Sequence, residues 1–423
     1  MDELLERAIV VGVNLKKDEH FEYGLEELHN LAEALNVEVV GEVTQNLDRV
    51  NSAHYVGKGK IDEIKAFYDE ADANLVIFND ELSPSQIRNL EEALDCKVID
   101  RTMLILDIFA RRAKSKEAQM QVELAQLQYM LPRLIGLRAS LGRQGGGTGG
   151  GFQNRGAGET KLELDRRKIE DQIAKIRRDL EHVKEQRVTQ RKQRKKNEVP
   201  VVSIVGYTNA GKSTVMNRLL AKTGQLDDKQ VFEKDMLFAT LETSVRQIRL
   251  PDQKEFLLTD TVGFVSKLPT HLVKAFRSTL EEAREADLLL HVVDVSNEEY
   301  RYMMDVTNET LQAVGVEDVP TLELYNKADL ADLNYPRVSG NSLWISAKEG
   351  KGLDELLEVI RTHIFADYKT CRMLIPYERG DIVSYLNEQA SVHTSEYEEE
   401  GTLLKVELKL ADYERYHEFV LGK

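Results

Sequence analysis

Nine consecutive residues carry the first chemical signal: Gly206-Tyr207-Thr208-Asn209-Ala210-Gly211-Lys212-Ser213-Thr214. The spacing G-x-x-x-x-G-K-[ST] is that of a loop whose backbone N–H groups cradle phosphates. Gly206 and Gly211 let the chain curl so that those groups face inward. Lys212 supplies a point charge for the outer phosphates, and the Ser213 hydroxyl is placed to ligate Mg²⁺. The plainer reading is a glycine-rich turn arising by chance. The context argues against it. Val201-Val202-Ser203-Ile204-Val205 is an apolar run fit for a buried parallel strand, and Val215-Met216-Asn217-Arg218-Leu219-Leu220 continues as a helix. A helix start at this point adds a partial positive charge for the phosphates.

Four further clusters follow in order, each at a predicted strand end or in a loop: Phe238-Ala239-Thr240-Leu241-Glu242, Asp260-Thr261-Val262-Gly263, Asn326-Lys327-Ala328-Asp329 and Ser346-Ala347-Lys348. The Thr240 hydroxyl and carbonyl can reach Mg²⁺ and the γ-phosphate from a loop that orders only with a triphosphate. Asp260 can hold Mg²⁺ through water, and the Gly263 N–H can bond the γ-phosphate. The Asp329 carboxylate matches the N1–H and 2-amino donors of guanine, which adenine lacks. Any one tetrapeptide is weak; the ordered set resembles a translation-factor-class GTPase. That resemblance makes GTP, GDP and Mg²⁺ the expected ligands, and Lys212, Thr240 and Gly263 the expected catalytic groups.

These clusters need a doubly wound sheet to hold them, and the pattern supplies one over residues 199–366. Thr243–Leu250 and Lys254–Asp260 read as adjacent strands. Asp287–Asp294, Val319–Tyr325 and Ser342–Ile345 read as further strands, each followed by a helix. Residues 1–100 alternate strand and helix as a small, mostly parallel α/β domain. Within it, Gly57-Lys58-Gly59-Lys60 stands ahead of a helix and could take a phosphate, though a tight turn with exposed lysines needs the same residues. Residues 367–423 read as a small α+β domain with an acidic hairpin at Glu396, Glu398, Glu399 and Glu400.

Residues 101–198 are helical. Met120, Leu124, Leu127, Leu131 and Leu134 form one heptad seam; Leu162, Ile169, Ile173, Ile176, Leu180 and Val183 form another. Two seams joined by a loop predict an antiparallel hairpin, with Pro132 kinking or ending the first helix. The Gly-rich stretch 142–158 is expected to be mobile when free. The chain has a net charge of −16, yet this segment carries 23 Lys and Arg against 12 Asp and Glu. Arg138, Arg143 and Arg155, on a backbone with few obstructing side chains, suit a crevice in folded RNA, with Phe152 available for stacking. The plainer reading is a solvated helix pair and a linker.

The order of these parts resembles the HflX family. The stretches that carry it are Arg101-Thr102-Met103-Leu104-Ile105-Leu106-Asp107-Ile108-Phe109, Gln121-Val122-Glu123-Leu124-Ala125-Gln126-Leu127, Gly156-Ala157-Gly158-Glu159-Thr160-Lys161-Leu162-Glu163 and the phosphate loop, within about residues 5–366. The resemblance implies a GTPase that binds the large ribosomal subunit and its RNA and splits stalled or idle ribosomes under stress. It also implies ATP binding by the N-terminal domain, for which Gly57 to Lys60 are the candidates. Phe264 stands where Ras-like GTPases carry a water-orienting glutamine, so slow hydrolysis by the free protein is expected. The ribosome, or K⁺ held by Asn209, would then complete the site.

Composition agrees with a soluble, monomeric protein of the cytoplasm, with a membrane-peripheral fraction left open. Hydrophobic content is 42% and charged content 31%. No apolar run approaches the roughly 20 residues of a membrane span. Cys96 and Cys371 have no motif spacing, and the nine His are scattered. An RNA-remodelling protein driven by ATP is the second function class. A metabolic kinase is the third, and it has no need of Asn326 and Asp329 at a strand end.

Overall fold

Short continuous runs of Val, Ile, Leu and Phe build the centre of the first sheet, because its two inner strands bury both faces. The computed structural model describes residues 6–422 apart from 17, 145–151, 197–198, 225–237, 239–243, 253, 270–271 and 273–276. The side chains of 135–144, 152–162, 186–196, 277–279 and 281 also fall outside the description. Strands β1 (Arg7–Leu15), β2 (Glu38–Leu47), β3 (Leu75–Phe78) and β4 (Lys97–Asp100) pair in the order β2-β1-β3-β4, all parallel. Ile9, Val11, Val76 and Phe78 face α2 (Lys58–Glu70) and α3 (Pro84–Leu94). Ser83 and Gln86 close a capping box at the start of α3, with Pro84 in its first turn. Ala8, Val10, Leu75 and Ile77 face the other way, onto Leu25, Leu28 and Leu31 of α1 (Phe21–Glu33).

Helix α4 (Arg101–Arg112) completes that second face with Leu104, Ile105, Ile108 and Phe109. A division at residue 100, drawn from the sequence, therefore cuts through one core: α4 packs as part of the N-terminal layer. The hairpin proper is α5 (Lys116–Gln144) and α6 (Phe152–Lys196). Leu124, Ile173 and Ile176 are buried in its seam, with Met120, Leu127, Leu131, Ile169 and Leu180 packed beside them. Two expectations are corrected. Pro132 lies inside α5, so of the two expected effects, a kink or an end, the end does not occur. The loop 142–158 shortens, because Arg143 falls within α5 and Phe152 and Arg155 within α6. The glycines at 156 and 158 cost the helix only about 1 kcal/mol each, which the long seam absorbs.

The second sheet contains β5 (Val201–Gly206), β6 (Ser244–Arg249), β7 (Glu255–Asp260), β8 (Leu288–Asp294), β9 (Thr321–Asn326), β10 (Arg337–Ser339) and β11 (Ser342–Trp344). Their order is β10-β11-β9-β8-β5-β7-β6, with antiparallel pairs only at the two edges. The sequence pattern does not show β10, an exposed three-residue edge strand. Helices α7 (Lys212–Lys222), α8 (Arg277–Arg284), α9 (Tyr300–Ala313) and α10 (Leu353–Ile364) cover the sheet. The last sheet, in the order β13-β14-β12-β15, joins β12 (Tyr368–Ile375), β13 (Ser391–Glu398), β14 (Gly401–Lys409) and β15 (Val420–Leu421), with α11 (Gly380–Gln389) and α12 (Leu410–Arg415) on it. Helix α12 stops at Arg415, and beyond it Val420 pairs with Met373 as an edge strand. Glu407 of β14 binds Lys254 at 2.7 Å and Arg361 at 3.5 Å, fixing this domain to the second sheet.

Candidate functional site

β5 ends in the phosphate loop because two glycines permit what no other residue could. Gly206 has φ +145°, and a Cβ there would lie 2.2 Å from the Val292 carbonyl oxygen. Gly211 has φ +92°, and a Cβ there would lie 2.3 Å from Asn326 Nδ2. The loop turns through Thr208 and Asn209, the latter at φ +61°, and enters α7 at Lys212. Ala210 is buried, and its carbonyl accepts from Asn326 Nδ2 at 2.9 Å. Asn326 Oδ1 in turn accepts from the Ala347 N–H at 3.0 Å. One side chain at the end of β9 thus ties the phosphate loop to the Ser346-Ala347-Lys348 turn after β11. The Lys348 carbonyl is held by Arg218 at 2.8 Å, and Ser346 Oγ accepts from the Glu349 N–H at 3.2 Å.

Asp329 lies in the 3₁₀ turn Ala328–Leu330 after β9. Its Oδ1 is shielded from water and accepts no hydrogen bond from the described residues. A buried acceptor in that condition calls for donors from elsewhere. Lys327, at φ +62°, is fixed by Asp294 at 2.6 Å. At the other end of the cleft, Ser213 Oγ donates to Asp260 Oδ2 at 2.9 Å. A hydroxyl and a carboxylate at that separation form a hard-oxygen pair of the kind Mg²⁺ takes. Thr261 Oγ1 donates to the Ile204 carbonyl at 2.7 Å and holds the end of β7 against β5.

Lys212 is buried, and its Nζ donates to the Tyr207 carbonyl at 2.6 Å. Burial pushes its ammonium down to about 8, against the pull of Asp260 and with a further push from Lys327. Gly263 packs directly on it: a Cβ there would meet Lys212 Nζ at 2.9 Å and Thr208 Cγ2 at 2.8 Å. Phe264 is 3% exposed, in an apolar cluster with Val205, Tyr207 and Leu280. Asn209, the K⁺ candidate, lines a cavity of about 350 Å³ shared with Glu26, Asn30 and Asp294.

Of the Phe238-to-Glu242 cluster only Phe238 is described, and it is buried; Ala239, Thr240, Leu241 and Glu242 lie outside the described residues. The side chains of Arg138, Arg143 and Arg155 lie outside them too. Gly57 caps α2, its N–H bound to Gln45 Oε1 at 3.0 Å, with Lys58, Gly59 and Lys60 in the first turn. Lys60 is paired with Glu63 at 2.7 Å, which is helix-start chemistry and lends no support to ATP.

Sequence reasoning placed Tyr207 in the phosphate loop but missed its side chain, whose ring leaves the loop for the N-terminal domain. Its hydroxyl donates to Glu27 at 2.5 Å, and Glu27 pairs with Arg101; both charges are buried. The available signal was Glu27 between Leu25 and Leu28 in an apolar stripe, and Arg101 ahead of an apolar run.

Residues 22–110 match the family described as GTP-binding GTPase N-terminal, and 112–194 the GTP-binding GTPase middle region. Residues 201–327 match 50S ribosome-binding GTPase, and 334–418 the HflX C-terminal domain. The GTPase HflX of Caldanaerobacter subterraneus subsp. tengcongensis is 46% identical over 417 residues, 99% of this chain and 94% of its own. The chain belongs to the HflX family of GTPases. HflX of Escherichia coli is 37% identical over 417 residues, 97% of this chain and 95% of its own. A GTP-binding protein from Sulfolobus solfataricus, solved with GDP, is 25% identical with a TM-score of 0.44, covering 85% of this chain and 98% of that one. Like its HflX relatives, this chain is a GTPase, and Mg²⁺ dependence goes with that activity in the family. Among the described residues, no helix is long and apolar enough to cross a membrane.

Proposed function

We propose that this HflX-family GTPase is a nucleotide switch on the large ribosomal subunit, and that it splits or rescues stalled or idle ribosomes. The observation that carries this is the pairing of a GTPase with a basic hairpin founded on the N-terminal domain. Segment 101–198 holds 23 Lys and Arg against 12 Asp and Glu in a chain of net charge −16. The base of α5 is fixed to the N-terminal domain through buried Val122, Ala125 and Tyr129. The match of residues 201–327 to a 50S ribosome-binding GTPase family supports the same partner. Arg138, Arg143 and Arg155 would face its RNA.

In this reading the loop Gly206–Thr214 holds the phosphates, and Asp329 takes the guanine donors. Asn326, Lys327 and Ala328 hold that turn in place, and Ser346–Lys348 close over the base. Ser213, Asp260 through water and Thr240 hold Mg²⁺, which when bound neutralises charge on the transferring phosphoryl group. Lys212 and the Gly263 N–H act on the γ-phosphate. Phe264, sealed in an apolar cluster, orients no water, so the free protein hydrolyses slowly and the subunit or K⁺ near Asn209 completes the site. Co-sedimentation with purified subunits under GTP analogue and GDP, with steady-state GTPase in K⁺ and in Na⁺, tests this. Binding and acceleration by large subunits are expected. Fast hydrolysis by the free protein in Na⁺, unaffected by subunits, would overturn it.

A further inference from the structure

The segment after Gly263 is bound from both sides. Toward the phosphate loop it forms a strand bridge: Thr208 N–H donates to the Phe264 carbonyl at 2.8 Å, and Phe264 N–H to the Gly206 carbonyl at 3.2 Å. Toward the N-terminal domain, Ser266 sits in a buried polar seat. Its N–H donates to Tyr207 Oη at 2.6 Å, and its hydroxyl donates to Glu27. Arg101 donates to the Ser266 carbonyl at 3.1 Å and to Asn79 Oδ1 at 3.0 Å. Lys267 reaches Asp80 of the same domain at 2.7 Å. Arg101 is 1% exposed and Glu27 3%. A buried pair of this kind is costly to separate from its partners, because each charge would be left uncompensated.

The apolar contacts repeat the pattern. Val262, Val265 and Phe238 lie in the core formed by α1, α4 and α5, and Phe238 meets Phe109 edge-to-face at 4.5 Å. The residues that flank the Thr240 cluster and the Asp260 cluster are thus held by the N-terminal domain rather than by the GTPase sheet alone.

The geometry at Gly263 gives this seat a consequence. Lys212 and the Gly263 N–H must both reach a γ-phosphate, so that group has to lie between them. Here Gly263 packs against the Lys212 ammonium, which is spent on the Tyr207 carbonyl. A diphosphate leaves this contact undisturbed; a triphosphate requires the 262–266 segment to move outward. What resists that movement is the strand bridge and the Ser266 seat. Arg101 is also joined by one peptide bond to Asp100, the N-cap of α4. Asp100 accepts from Tyr129 Oη at 2.7 Å and pairs with Arg133 at 3.3 Å, both on α5 at the base of the hairpin.

We propose that Glu27 and Arg101 are positioning residues that sense the triphosphate: they seat Ser266 in the diphosphate arrangement, and a γ-phosphate unseats it and passes the change through Arg101 and Asp100 to the base of α5. The inference rests on the GTPase reading of the site. The energy at stake is that of a few hydrogen bonds to buried charges, and a ligand shifts two states only by its differential affinity for them.

The test uses the full chain with Mg²⁺ and compares wild type, Ser266→Ala and Tyr207→Phe. Calorimetry measures the affinity for GDP and for a non-hydrolysable GTP analogue. Each variant weakens the seat without stranding a charge, so the ratio of analogue to GDP affinity should rise about 10-fold. Hydrogen exchange should show residues 116–133 less protected with the analogue than with GDP in the wild type, and already less protected with GDP in Ser266→Ala. A purely structural role would lower both affinities together and leave the ratio unchanged; that result in folded variants overturns the proposal. Equal protection of 116–133 in both nucleotides of the wild type overturns it as well, whether or not the variants fold. Failure of the wild type to bind GDP at all would instead sink the GTPase reading beneath it.

Discussion

Exchange of Asp329 for asparagine isolates the base-recognition step. Its surroundings are fixed independently: Asn326 is held by Ala210 and Ala347, and Lys327 by Asp294. The turn should therefore keep its shape. Asp329 Oδ1 accepts from no donor among the described residues, so the substitution at that atom breaks no hydrogen bond among them. It replaces a two-oxygen acceptor with one oxygen and one amide donor. Guanine, with donors at N1 and at the 2-amino group, loses one charge-assisted bond and faces donor against donor at the other. Hydrogen bonds to charged groups are worth about 1.5–3 kcal/mol each, so a loss near 3 kcal/mol is expected, or roughly 150-fold in affinity. Xanthine carries a carbonyl in place of the 2-amino group and recovers a match. The assay is calorimetry with GDP and XDP at saturating Mg²⁺. XDP should overtake GDP in the variant. A GDP affinity within a factor of about three of wild type would refute the assignment, because no other carboxylate in the proposed site could replace this acceptor pair.

Two pH effects follow from buried groups. Lys212 has its ammonium depressed to about 8 by burial, so above that pH the free site is largely neutral; phosphates arriving beside it restore the charge. GDP binding at pH 8.5 should take up a proton, read as an enthalpy that varies with the ionisation enthalpy of the buffer, and a buffer-independent enthalpy would contradict this. His291 is buried on β8, and desolvation holds it down to about 4 from 6.5, Glu323 opposing and Lys212 adding to the shift. Between those values the unfolded chain binds the extra proton. The stability that neutral His291 provides is thus complete above 6.5 and is lost as pH falls toward 4, at most about 3 kcal/mol in all. Denaturant unfolding of wild type and His291→Leu at pH 7 and pH 5 should show a smaller pH dependence in the variant; equal dependence would refute the assignment.

Motif spacing and periodicity read most of the local structure because they report on neighbours in sequence. The phosphate loop after β5, the clusters at the ends of β7 and β9 and the hairpin seams from Met120 to Leu131 and from Ile169 to Leu180 lie where the residue pattern puts them, since a glycine pair or a heptad carries its own geometry. The HflX family was legible for the same reason: its signatures are short and ordered. What the pattern could not give was the partner of each buried polar group. Glu27 and Arg101 are 74 residues apart, and Glu27 and Ser266 are 239 apart. Nothing in their local spacing distinguishes them from solvated charges. Only the packing of α1 and α4 against the phosphate loop removes them from water and obliges them to find one another. The edge strands β10 and β15 were missed on similar grounds, as two or three residues carry no period of their own. The sequence by itself determined which chemistry the chain can do. The tertiary structure decided that the segments performing it are seated in the core of another domain, because burial of a charge is a property of the whole fold and never of the stretch that bears it.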